Sequence, residues 1–210
     1  MSPDGAMLRK PPVQSRASHR VDELLDAAAA VVDEVGSELL TTTLVAARAG
    51  AAVGTLYRYF PDRIAILQGI ADRNMRLIAE RFGETLATPK ADVEDELDAL
   101  FQASVVLHRS VPGFRALRTG EHLPSSTRHR AEIVGALVDE VLAVVGPRHG
   151  IPTTGAAREG FVDCFHVVDA LIAAAFVDDP AGDPRALGLA FDVARTMVER
   201  LVRGEVPAAP

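Results

Sequence analysis

Thr55, Arg58 and Tyr59 fall on one side of a short predicted helix, with Tyr57 beside them and Arg63 a few residues on. Hydroxyl and guanidinium groups hydrogen-bond phosphate oxygens, and threonine and alanine methyls suit the thymine methyl in the major groove. Gly54, near the start of the same helix, has no side chain and would let its backbone approach a groove. Asp62 predicts a new helix start, which places Arg63 in a first turn, where a phosphate is welcome. The chemistry these residues suit is the reading of duplex DNA.

The residues between them supply a frame for that work. Thr41 or Thr42 can cap a short helix by accepting an orphan backbone N–H. Ala46 is small where a second helix must cross, and Gly50 can take the left-handed conformation of a sharp interhelical turn. Leu56 points back toward a core and Phe60 lies one turn below it on the same face. Alanine, glycine and an aliphatic residue at this spacing form the steric skeleton of a helix-turn-helix. Without that spacing, the segment would read as an ordinary helical hairpin with a tyrosine-rich surface.

Other chemistries find less support. The histidines His108, His122, His129, His149 and His166 are scattered, and Cys164 and His166 lie two apart, facing different ways on a helix. Neither a phosphate-cradling Gly-x4-Gly-Lys loop nor a Gly-x-Ser-x-Gly elbow occurs. Asp163, His166 and Asp169 could suggest catalysis, but the polar face of a dimer or pocket helix explains them better. The sequence therefore leads us to expect no cofactor, no metal and no enzyme.

Charge is distributed consistently with this reading. The chain of 210 residues carries a net charge of −7, yet the segment 41–63 holds Arg48, Arg58 and Arg63 against Asp62 alone. Arg9, Lys10, Arg16 and Arg20 add positive charge ahead of it, and most of the acidity falls after residue 63. Local charge governs phosphate contact. No apolar run approaches the ~20 residues of a membrane helix, and the first ten residues do not resemble a secretory signal. A single cysteine excludes an internal disulfide and fits a reducing cytoplasm.

Periodicity predicts an all-α chain of about nine helices. A proline-containing arm (1–15) precedes a helix from about Arg16, with Val21, Leu24, Leu25, Ala28, Val32 and Val35 on one stripe and Gly36 as its stop. After the two short helices comes a long one from Asp62 to Leu86, then one opened by Asp92-Val93-Glu94-Asp95-Glu96 and running to Arg109. A short helix is expected from Pro112 to Leu117 or Arg118. Another should span Ser126 to Val145, stopped by Gly146-Pro147, and two more Thr154 to Val177 and Pro184 to Val202. The domains expected are the basic arm, a three-helix head (16–63) and a body of about six helices (64–204).

The stretch Ala49-Gly-Ala-Ala-Val-Gly-Thr-Leu-Tyr-Arg-Tyr-Phe-Pro-Asp-Arg63 resembles the TetR family of bacterial transcriptional regulators, the likeness covering about Arg16 to Leu67. It implies a three-helix DNA-binding domain, a ligand-binding helical domain and a homodimer on a palindromic operator. It also implies that Thr42 and Thr43 meet DNA from the first helix of the motif. Val53, Gly54, Thr55, Leu56, Tyr57 and Tyr59 would lie in or beside the groove, and Arg63 would bind phosphate. Many relatives have lysine where Arg63 stands, and some have a longer base-reading side chain in place of Thr43.

For the body, the sequence predicts a largely apolar pocket. Its candidate walls are Phe82, Leu86, Phe101, Val105, Phe114, Leu117, Phe161, Phe165 and Val168, with His108, Arg118, His122 and Cys164 as polar members. The apolar stripe Phe191, Ala194, Met197, Val198 and Leu201 on the last helix is expected to pair with a second subunit. The partners expected are double-stranded DNA, a second copy and a small apolar or amphipathic effector that releases a repressor. A ligand-independent architectural DNA binder is the alternative, and a helical enzyme a more distant one.

Overall fold

The computed structural model describes residues 12–115 and 126–205, and of residues 12–17 and 126–130 the backbone alone. Eight helices are complete among the described residues: α1 (Pro12–Val35), α2 (Thr42–Arg48), α3 (Val53–Tyr57), α4 (Arg63–Leu86), α5 (Val93–Ser110), α6 (Ser126–His149), α7 (Gly155–Ala175) and α8 (Pro184–Val202). There is no strand among the described residues. Side chains begin several of these helices by accepting an orphan N–H, as N-caps do. Thr41 accepts from Leu44 N at 3.2 Å, Asp62 from Ala65 N at 2.8 Å and Asp92 from Asp95 N at 2.9 Å.

Three boundaries differ from the sequence expectation. The first helix begins at Pro12, so Pro12–Ser15 belong to α1 and not to an arm, proline being well tolerated in a first helical turn. The short helix expected over 112–118 begins only at Phe114, after Gly113 with φ 73°, and residues 116–118 lie outside the described region. Helix α6 runs through Gly146-Pro147 to His149. Pro147 costs the hydrogen bond to Ala143, but that residue is exposed and its carbonyl can be hydrated. Gly146 is where Ile151 and Thr153 fold back: a Cβ there would lie 2.5 Å from Thr153 Cγ2.

One core cluster joins α1 through the start of α4, with Leu24, Ala28, Val32, Val45, Leu56 and Ile70 among its members. A second contains Met75, Ile78, Phe82 and Leu86 of the same α4 together with residues of α5 and α6. No loop separates the two clusters: a single helix supplies apolar side chains to both. Further on, α7 and α8 cross closely at Gly160, where a Cβ would lie 2.3 Å from Leu201 Cδ2.

Candidate DNA-reading face and internal cavity

The helix-turn-helix is built as its sterics require. Ala46 and Leu56 are fully buried and Phe60 nearly so. Gly50 turns the chain with φ 57°, and Ala51 N closes the turn on Ala46 O at 2.9 Å. What remains outside is Thr41, Thr43, Leu44, Val53, Gly54, Tyr57 and Arg58, all exposed, with Thr42, Thr55 and Tyr59 half-buried. Thr42 Oγ1 lies 3.3 Å from Tyr57 OH, a bond that ties α2 to α3 on this outer face. The Arg58 guanidinium donates to Tyr59 OH at 3.2 Å and lies over its ring, 5.3 Å from the centroid. Gly54 has open space around its missing Cβ.

Leu56 is a correction. Its side chain is fully buried in the head core, so its contribution is packing and it offers no side chain to a groove. Arg63 is engaged in a way that the sequence did not suggest. Its Nη1 donates to the carbonyls of Ser37 at 3.1 Å and Glu38 at 2.7 Å, tying the α1–α2 connection to the start of α4. Arg48 pairs with Glu34, whose carboxyl it holds below the usual carboxylate range. Arg58 therefore carries the least committed positive charge of the head's outer face.

In the body a cavity of about 130 Å³ lies among α4, α5, α6, α7 and α8. Six of the expected residues, Phe82, Phe101, Phe161, Cys164, Phe165 and Val168, line it. Leu86, Val105, His108 and Phe114 are corrections, because none of them reaches it. Leu86 instead faces an outer hollow of about 490 Å³ between α4 and α6. Val105 packs in a neighbouring cluster with Ile172 and Phe176. The His108 ring is buried between Phe114, edge-on at 4.8 Å, and Phe176, stacked at 5.2 Å. Its Nδ1 donates to the Ser104 carbonyl at 2.9 Å, so the ring serves the packing and not the cavity. Leu117, Arg118 and His122 lie outside the described residues.

Three polar residues beyond the expected walls also line the cavity: Glu96 and Ser104, and Asp169, which the sequence placed on the polar face of a dimer or pocket helix. Glu96 could have been found, since it shares a helical stripe with Val93, Leu100 and Ser104 at 3–4 residue spacing. Its carboxylate is only 1% exposed. Glu96 Oε1 accepts from Arg148 Nη1 at 2.8 Å and from Lys90 N at 3.3 Å, with His149 Nε2 at 3.8 Å. Arg148 and His149 reach it only because α6 continues past Pro147. Burial pushes the Cys164 thiol up to about 12.

The dimer stripe is also corrected. Ala194, Val198 and Leu201 are buried within this one chain, and Ala194 and Val198 line the cavity. Phe191 is half-buried, its ring 5.2 Å from that of Phe101, and Met197 packs beside Val198. The apolar face of α8 is thus filled by its own α5 and α7. The side chains left outside on these helices include Val167, Ala170, Ala174 and Leu189, with Val177 exposed just past the end of α7.

A helix-turn-helix with an outward polar face, carried on a helical body, is the architecture of a DNA-binding protein. Residues 24–70 match the family model for bacterial regulatory proteins of the tetR family. Over 110 residues the chain is 28% identical to the nucleoid occlusion factor SlmA of Photobacterium profundum, a match covering 52% of this chain and 56% of that one. Over 59 residues it is 41% identical to the transcriptional repressor KstR of Mycolicibacterium smegmatis, covering 28% of this chain and 29% of that one. The chain thus spans about half the length of the first relative and under a third of the second. A TetR-family transcriptional regulator from Streptomyces coelicolor superposes with a TM-score of 0.70 at 28% identity, over 87% of this chain and 99% of that one. The head thus matches the tetR-family model over residues 24–70, and the fold that carries it is similar to that of a TetR-family regulator. No described helix is long and apolar enough to cross a membrane.

Proposed function

We propose that the protein is a homodimeric repressor that binds a palindromic operator and is released when a small, largely apolar effector enters the body cavity. The observation that carries this reading is the sharing of α4. Ile66, Leu67 and Ile70 of that helix sit in the head core, while Phe82 of the same helix is a cavity wall. Any ligand that shifts Phe82 acts on the rigid element that aims the head, and a population shift between two head spacings follows. Phe82, Leu137 and Val141 line both the cavity and the outer hollow, so the two spaces adjoin at these side chains, and an effector would enter there.

On DNA, Thr42, Thr43, Val53, Gly54, Thr55, Tyr57 and Tyr59 form the reading face. Arg63 reaches phosphate with the guanidinium nitrogens that Ser37 and Glu38 do not use. The dimer forms through the outward faces of α7 and α8, where Val167, Ala170, Ala174 and Leu189, with Val177 just past α7, make an apolar surface suited to a two-fold seam. Selection from a random duplex pool tests the reading. It should enrich an inverted repeat whose half-site centres lie about 34–36 Å, one helical turn, or a multiple apart. Enrichment of unpaired half-sites, or of nothing, would overturn it.

A further inference from the structure

The Glu96 carboxylate is placed unlike the other acids of the chain. It is 1% exposed, stands in the wall of a largely apolar cavity, and its contacts with Arg148, Lys90 and His149 all converge on one oxygen, Oε1. The second oxygen, Oε2, is buried with no hydrogen-bond partner among the described residues. A carboxylate oxygen can only accept, and leaving one unmatched in an apolar interior is costly. Arg148, which neutralises Glu96, lines the outer hollow and not the cavity. On the cavity side the second carboxyl residue is Asp169, and among the described residues no basic one lines it. The electrostatics of this wall therefore favour a donor and oppose a carboxylate.

Resting on the effector reading above, we propose that Glu96 Oε2 is the polar anchor of the cavity and selects an apolar effector bearing a hydrogen-bond donor, a hydroxyl or an ammonium group. At about 130 Å³ the cavity is close in size to the roughly 150 Å³ that holds benzene, so its apolar occupant is matched to a single ring. A longer effector would extend past Phe82 into the outer hollow. The donor enters with the apolar part because, among the described residues that line the cavity, Glu96 offers a buried acceptor oxygen with no partner.

The test uses probes of like size and titration calorimetry on the full chain. Benzyl alcohol and anisole are isomers, one a donor and the other an acceptor only, and toluene is the apolar reference. Wild-type protein should bind benzyl alcohol about tenfold or more tighter than anisole, the scale of one hydrogen bond to a charged acceptor. In Glu96→Gln the inward oxygen becomes an amide N–H₂ while Oε1 still serves Arg148. The preference should then fall to parity or pass to anisole. Benzylamine distinguishes the two donors: tighter binding than benzyl alcohol names an ammonium head, weaker binding a neutral hydroxyl. A wild-type preference for anisole, or a ratio unchanged in Glu96→Gln, overturns the role of Glu96 while leaving the cavity reading intact. Failure of all the probes, toluene included, to bind removes the cavity reading itself. Should Glu96→Gln not fold, the isomer comparison on the wild-type protein still decides.

Discussion

Gly113 N donates to Asp33 Oδ1 at 2.9 Å, joining residues 80 positions apart: the end of α5 is fastened to α1 of the head. Arg115 approaches the other oxygen of the same carboxylate at 3.5 Å. Gly113 takes φ 73°, and a Cβ on it would lie 2.9 Å from Ala29 Cβ and 3.0 Å from Ala29 Cα. Both the left-handed backbone and the close approach demand glycine here. This junction is the second route, beside α4, by which the body touches the head.

Gly113→Ala should therefore destabilise the whole chain. The left-handed conformation alone costs about 1–2 kcal/mol for a residue with a Cβ, and Ala29 presents backbone atoms that cannot swing aside. At about 2–4 °C per kcal/mol for a chain of this size, thermal denaturation should show a fall of several degrees. An unchanged melting temperature would mean that the junction is soft and that α4 alone couples head to body.

Arg63 has two roles that one substitution can separate. Arg63→Ala releases the Ser37 and Glu38 carbonyls, so the melting temperature should drop. If the same side chain also meets phosphate, the slope of log affinity against log salt should shrink by about 1. Arg63→Lys keeps the charge but loses the fork, so it should restore most of the slope and less of the stability. A lower melting temperature with an unchanged slope would confine Arg63 to the fold.

Gly54 offers the opposite separation. It lies inside α3, with nothing within 4 Å of the point a Cβ would occupy, and alanine is favoured over glycine in a helix by about 1 kcal/mol. Gly54→Ala should leave the melting temperature unchanged or raise it. Operator binding, measured by fluorescence anisotropy, should weaken at least about tenfold, or ~1.4 kcal/mol, because the new methyl group stands where the backbone meets DNA. Undiminished binding would show that α3 does not come that close.

The head was legible because its sterics admit few residues: Ala46, Gly50, Leu56 and Phe60 each solve a problem of shape, and shape problems leave a pattern in one dimension. The body was less legible because an apolar stripe announces burial without naming what buries it. Ala194, Val198 and Leu201 are apolar for a reason internal to the chain, since α8 needs that face for α7. Gly146-Pro147 has the composition of a stop, yet Gly146 is there for the chain that folds back over it. The Glu96 site depends on that continuation, which brings Arg148 and His149 within reach of a carboxylate placed 52 residues earlier.

Those buried positions also separate the dimer seam from the core. Val167 is 42% exposed and Val198 6%. Glutamate at Val167 would place a charge in the proposed seam and should give a folded monomer by sedimentation, with helical circular dichroism intact. Glutamate at Val198 would bury an unpaired charge within the chain and should lose the fold. A stable dimer with Val167→Glu and Ala170→Glu both present would move the interface elsewhere.

Cys164 reports on the cavity from inside. It is the chain's single cysteine, buried in the cavity wall, and burial raises its thiol from 9.0 to about 12. Only the thiolate attacks thiol reagents, so the native protein at pH 8 should be labelled far more slowly than the denatured chain. Labelling with a thiol-reactive chromophore would therefore track opening of the body. The sign of the pH effect follows from proton counting. Between pH 9 and 12 the folded chain keeps a proton that the unfolded chain gives up, so stability is full below that window and falls as pH rises through it. Chemical denaturation from pH 8 to 11 should show this loss, and Cys164→Ser should abolish its share of it. Toluene or benzyl alcohol in the cavity should slow the labelling further, because either would stabilise the closed state. Native labelling at the rate of a free thiol would place Cys164 in contact with solvent and remove it from a buried cavity wall.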